Sequence, residues 1–558
     1  MKKNIMNTKY IWLIALLVGF NACNDPEDVL ADFNIETPEA LPELTSGSVN
    51  FSNYVAIGAS FTAGFTDGAL FKAAQENSFP NTLSKQFAKV GGGTFTQPLM
   101  NDNFGGLALG GNRIQSPRLV FGGSGPVALE SIIGTVTVTT DLATNNPTGP
   151  FKNLGVPGAK SFHLLANGYG NLANFPAAAN PYAIRLTESA PNASLLELAM
   201  AQNPTFFTLS EIGGNDVLSY ATSGGTGVNQ AGNLDPSTYG GNDITDPNVF
   251  AQVFSNTVTA LTSTGAKGAV TNVPYITDLP HFTTVPYNPL DPTNSSFGPQ
   301  IPTLNGIFGQ LNQVFAFLGV PERSIVFSQT AASAVVIQDE SLTNLSAQIA
   351  GVLQASPTFP LFVQSFGLPA EAATLVANLL GTVYGQARQA TADDLFVLPS
   401  SSVIGTVNTD SVAFLMSQGL SQALAGQFSV EGISLPLADK WVLIPEEQEE
   451  IKTATDAYNQ TIASVAASNT NVVLVDLNSV LTQLASTGVP FDDYVMTADL
   501  VTGGAVSLDG IHLTARGYAL MANKFLEAID DEFGTNFMAS GNVAKAGDYP
   551  TNYSPLLQ

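Results

Sequence analysis

The apolar positions of this chain gather into short unbroken runs set far apart, at 54–58 (YVAIG), 151–154, 206–209, 268–273 and 472–475. Runs that are apolar at consecutive rather than alternate positions predict strands buried on both faces. Helical periodicity stands between and after them. The stretch 445–465 opens with Pro445 and acidic residues, which suit a helix N-terminus, and carries Ile451, Ala454, Tyr458, Ile462 and Val465 on one side. After Thr514, a good cap, Ala515, Tyr518, Ala519, Ala522, Phe525, Leu526 and Ile529 repeat the same spacing. The prediction is an α/β fold with a five-stranded parallel sheet covered by helices, whose ligands collect at the carboxyl ends of the strands.

The stretch between the fourth and fifth runs is longer than a crossover helix needs, and predicts an insertion over about 280–440. Its first part, 280–302, is rich in Pro, Asn and Thr and reads as loop, whereas 342–355 and 370–384 read as an apolar helical pair. The insertion is either a lid over the strand ends or a packing embellishment. A second loop, 224–247, is rich in Gly, Asn and Asp and offers oxygen ligands for calcium, without the spacing of an EF-hand.

The N-terminus changes the picture of where the protein works. Lys2, Lys3 and Lys9 precede an apolar stretch at 10–20, and Ala22 stands before Cys23, the single cysteine. This arrangement resembles a bacterial lipoprotein signal at 1–22, with Cys23 lipidated as the mature N-terminus; Phe20 departs from its usual aliphatic residue. Residues 23–48, acidic and punctuated by prolines, predict an extended tether; 49–535 form the main domain and 536–558 a C-terminal tail. The expectation is an exported protein held to the cell envelope, at the outer membrane, by a lipid anchor. A net charge of −26 opposes a phosphate backbone, so nucleic acid is excluded as a partner.

Candidate chemistry lies at the run ends. Ser60 follows the first run in Gly58-Ala59-Ser60-Phe61, among small neighbours that permit a sharp turn. His512 is one of three histidines and sits three residues after Asp509, so that the carboxylate can fold back and orient the imidazole. His163 and His281 read as structural or peripheral. Gly158, in a Gly/Pro turn after the second run, and Asn215, in Gly213-Gly214-Asn215-Asp216 after the third, can supply donors to an oxyanion.

Taken in order, these four segments resemble the SGNH (GDSL-type) hydrolase superfamily, and softer likenesses at 60–68, 75–80 and 439–443 resemble its exported Bacteroidetes members. The resemblance implies a three-layer α/β/α fold with sheet order 2-1-3-4-5 and no cofactor or metal. It implies Ser60, Asp509 and His512 as catalytic triad, and the Ser60 amide, Gly158 and Asn215 as oxyanion hole. Ala59 and Phe61 depart from the Asp and Leu of the GDSL signature, so support around the Ser60 turn must differ. A GxSxG elbow is absent, which argues against the ordinary α/β-hydrolases. The expected activity is ester hydrolysis, on lipid or fatty-acyl esters. The alternatives are removal of acetyl groups from polysaccharide, or a surface lipoprotein that only binds glycan or lipid.

Overall fold

A computed structural model of the protein describes residues 40–187 and 189–558. The signal segment, Cys23 and the tether up to residue 39 lie outside the described residues. Residues 40–43 and Ala539–Gly541 fall to a unit of their own, and Leu44–Met538 with Asn542–Gln558 form the unit that carries the sheet.

Five parallel strands make that sheet: β1 (Tyr54–Gly58), β2 (Asn153–Gly155), β3 (Phe206–Ser210), β4 (Lys267–Thr271) and β5 (Val472–Val475). They lie in the order β2-β1-β3-β4-β5; counted among all fifteen strands of the described residues, the same sheet reads 6-1-7-8-13. Alternate residues of β1 serve two cores. Val55 and Ile57 face one, with Phe250 and Phe254 of a helix over Pro247–Thr262 and Ile451, Tyr458 and Ile462 of a helix over Pro445–Ala467. Tyr54 and Ala56 face the other, with helices over Phe79–Phe87 and Ala515–Phe533. Phe79 and Phe525 stack there at 4.9 Å. Both faces are therefore covered, which is why the strands carry unbroken apolar runs.

Two strand ends differ from the expected runs. Phe151 is buried but precedes β2, because the N–H groups of Lys152 and Asn153 donate to the Thr96 carbonyl. Val273 leaves β4 because its backbone N–H donates to Asn459 Oδ1 and its carbonyl accepts from Asn459 Nδ2. A side chain of the 445–467 helix has replaced the neighbouring strand.

The residues between β4 and β5 build a core of their own from Ile301, Phe308, Phe315, Ile337, Ile349, Tyr384 and others. The helical pair is present at Ser346–Ala355 and Ala373–Tyr384, shortened at the front because Asp339 and Asn344 bind the backbone N–H groups of Ser341 and Ser346 in turns. The 280–302 stretch is loop apart from short helical turns and the start of a helix over Ile301–Phe317. Residues 44–48, from the stretch expected as tether, and 536–538 and 542–558, from the stretch expected as a tail, are part of this unit. Ser48 donates to the Phe533 carbonyl, Phe537 is fully buried, and the Arg118 guanidinium donates to the carbonyls of Tyr553, Ser554 and Leu557. Among the described residues no helix is long and apolar enough to cross a membrane.

Candidate active site

Ser60 opens a four-residue helix, Ser60–Ala63, directly after β1. Its own N–H is one of the donors a helix N-terminus leaves without an intrahelical acceptor. The turn fits only because Gly155 of β2 lies beneath it: a Cβ there would stand 2.3 Å from Ala63 N. Asp509, Ile511 and His512 come from a loop immediately before the Ala515–Phe533 helix, whose cap is Thr514 Oγ1 accepting from Gly517 N.

Asp509 is the most heavily bonded side chain of the site. Oδ2 accepts from His512 Nδ1 and from Gly68 N, both at 2.8 Å; Oδ1 accepts from the N–H groups of Ile511 and His512 and from Ser507 Oγ. Burial works to raise its pKa, but the neighbouring imidazole and these donors outweigh it and hold the carboxyl well below the usual range. An ionised carboxylate can only accept, so Nδ1 donates to it and the lone pair of a neutral ring lies on Nε2. The rings of Phe65, at 4.6 Å, and Phe61, at 5.9 Å, pack against the imidazole, and Phe61 is the residue after the serine. Among the described residues the Ser60 hydroxyl makes no hydrogen bond to His512.

Gly158 and Asn215 are brought together. Asn215 Nδ2 donates one hydrogen to the Ala159 carbonyl at 2.9 Å, and Asn215 lines a cavity with Ser60. Gly158 adopts φ +78°, and a Cβ there would meet only Asn180 Nδ2 at 3.8 Å. Its N–H has no protein acceptor among the described residues. The cavity encloses about 100 Å³ at the carboxyl ends of the strands. Ser60, Glu211 and Asn215 form its polar end, and Leu218, Leu481, Leu484, Ile511 and Leu520 are among its apolar walls.

Three residues that sequence reasoning passed over, and His281, which it read as structural or peripheral, hold this arrangement. Glu211 Oε1 accepts from the N–H groups of Ala59 (2.6 Å) and Thr62 (2.9 Å), so a carboxylate at the end of β3 ties down the turn on either side of Ser60. It has φ +49°, is buried, and burial pushes its pKa up to about 7 against the pull of those donors. This is the altered support that Ala59 demands; its signal was an acidic residue closing an apolar strand just before Gly213-Gly214. Asp67 and Ser507 join the serine segment to the Asp509 loop: Asp67 N donates to Ser507 Oγ, and Leu508 N donates to Asp67 Oδ1. Burial raises Asp67 to about 7. His281, buried and drawn down in pKa by that burial, braces the same loop, its backbone N–H donating to Gly510 O and its Nδ1 to Asp509 O.

The remaining candidates lie apart. His163 Nδ1 accepts from Lys160 N, its ring stacks on Tyr169 at 4.2 Å, and burial with Lys160 nearby pushes its pKa down to about 3. In the 224–247 loop, whose composition offers oxygen ligands, Asp243 and Asp246 are taken up by protein donors. Asp243 accepts from Val228 N, Gly240 N and Gln230 Nε2, and Asp246 from Gly232 N, Asn248 N and Val249 N. The acidic group with metal-ligand spacing among the described residues is elsewhere, at Glu340, Asp439 and Glu447.

The chain matches no protein-family model, no curated protein and no solved structure. The local geometry is therefore what bears on function.

Proposed function

We propose that the protein is a serine esterase of the SGNH kind, hydrolysing carboxylic esters with an aliphatic acyl group. The observation that carries this reading is the Asp509–His512 pair, whose imidazole packs against Phe61 next to Ser60, a buried serine that lines an apolar cavity. In the reaction His512 Nε2 takes the Ser60 proton as Oγ attacks the ester carbonyl. The N–H groups of Ser60 and Gly158 and the second Asn215 amide hydrogen receive the oxyanion. The imidazolium then protonates the departing alcohol, and water repeats the sequence to release the acid. The Ser60–His512 contact forms when substrate fills the site, as catalytic hydrogen bonds commonly tighten on binding.

A cavity of about 100 Å³ with apolar walls suits a short aliphatic acyl group. Hydrolysis of p-nitrophenyl butyrate by the wild type, and its loss by about 10³-fold or more in Ser60→Ala and His512→Ala with unfolding temperature unchanged, tests the reading. Alanine variants as active as wild type would refute it.

A second reading, deacetylation of polysaccharide, draws support from a wider cleft of about 1100 Å³ beside the same loop. Asp291, Asn294, Gln300 and Gln427 give it polar walls, and its Leu398 lies 3.2 Å from where a Cβ on Gly510 would stand. Faster release of acetate from acetylated xylan than from p-nitrophenyl acetate would favour that reading. Export and anchoring through Cys23 are part of the same proposal, and rest on the sequence at 1–23.

A further inference from the structure

The insertion contains a second cavity, of about 430 Å³, that shares no residue with the one at Ser60. It lies where the helices Phe359–Gln364, Ala373–Tyr384 and Thr409–Ser417 converge. Phe362, Phe366, Leu380, Val383 and Phe428 line it, apolar side chains left only half-buried although the insertion has a full core of its own beside them. Close-packed interiors retain few voids larger than a water molecule, so an apolar space of this size is built for an occupant. At about 430 Å³ against about 100 Å³ it accommodates a much longer acyl chain than the cavity at Ser60 takes.

The mouth indicates the rest of the ligand. Phe414 lines the cavity yet is 54% exposed, and Leu361 and Met416 stand exposed on two of the helices that form it. No lysine or arginine lines the cavity; the polar residues are Asn408, Asp410, Ser411 and Ser434. Asp410 and a net charge of −26 oppose a carboxylate or phosphate head. We infer that the insertion binds one long acyl chain carrying an uncharged polar head, as in a monoacylglycerol. This site is separate from the ester-cleaving one and does not depend on Ser60 chemistry.

The test uses the full chain with Ser60→Ala, so that no turnover confuses binding. The probe is N-phenyl-1-naphthylamine, a neutral apolar fluorophore, displaced by 1-palmitoylglycerol or by palmitate. Leu380→Trp fills the cavity, and Phe414→Glu places a charge at its exposed rim without entering packed core. Both are expected to weaken probe binding by about tenfold or more, while Leu481→Trp, which fills the Ser60 cavity, leaves it within about twofold. Palmitoylglycerol is expected to displace at about tenfold lower concentration than palmitate. Absence of probe binding, or binding unchanged in Phe414→Glu, overturns the site. Equal displacement by palmitate overturns the uncharged head. Neither result touches the esterase reading, which the Ser60 and His512 variants test by activity.

Discussion

Replacing Glu211 by Gln separates two things that its carboxylate does at once. As an acceptor it holds the Ala59 and Thr62 N–H groups around Ser60; as a charge it is buried at a cost. Its pKa stands at about 7 in the fold against an ordinary 4.5, a difference equivalent to about 3 kcal/mol. The folded state therefore binds this proton more tightly than the unfolded chain. The stability it lends is complete below about pH 4.5, declines as pH rises towards 7, and is gone above that. Asp67, also raised to about 7, adds a decline of the same sign. Asp509, held low, has the opposite sign, but its contribution is lost only in acid, below this window. The substituted amide keeps a carbonyl for both N–H groups, and its nitrogen can donate to Thr62 Oγ1. In urea unfolding from pH 4 to 9, Glu211→Gln is expected to flatten the decline between 4.5 and 7, gaining up to about 3 kcal/mol relative to wild type at pH 8. Esterase activity should stay within a few fold. Glu211→Ala instead strands two buried N–H groups at about 1–3 kcal/mol each and loosens the turn, so both stability and kcat fall. A wild-type pH slope in the Gln variant, or full activity in the Ala variant, would refute the reasoning.

Asp509→Asn cannot hold Nδ1 as the donor and is expected to lower kcat by about 10³- to 10⁴-fold, with KM for p-nitrophenyl butyrate little changed. Leu481→Trp should shrink the Ser60 cavity and lower the butyrate-to-acetate rate ratio by about tenfold, read from initial rates on the two chromogenic esters. Arg118→Ala removes the donors that hold the Tyr553, Ser554 and Leu557 carbonyls; limited proteolysis should then trim the C-terminus at protease concentrations that spare the wild type. Cys23→Ser should abolish incorporation of labelled palmitate in cells and leave the chain soluble after export.

The sheet was legible because burial on both faces writes itself into consecutive apolar residues, and the last helix because Thr514 and a regular apolar spacing mark it from cap to core. Ser60, Asp509, His512, Gly158 and Asn215 could be picked out because their residue types and chain order are informative together. Glu211 and Asp67 could not. Each acts on a segment distant in sequence, Glu211 on Ala59 and Asp67 on Leu508, and such partnerships exist only after the sheet and loops are assembled. The partners of the C-terminal segment were hidden for a related reason. Its sequence is polar and helix-poor, yet Phe537 and Tyr553 find apolar partners, and Arg118 finds carbonyls, across the whole length of the chain.

The stitch between Asp67 and Leu508 spans 441 positions of sequence. Ser60 is among the first residues of the sheet-bearing unit to be synthesised, and His512 arrives only after the entire insertion. On the proposed esterase reading, a chain emerging N-terminus first carries Ser60 without its base until the insertion has been made. On the same reading, whatever stalls the chain before residue 512 leaves a fragment with no means of activating Ser60.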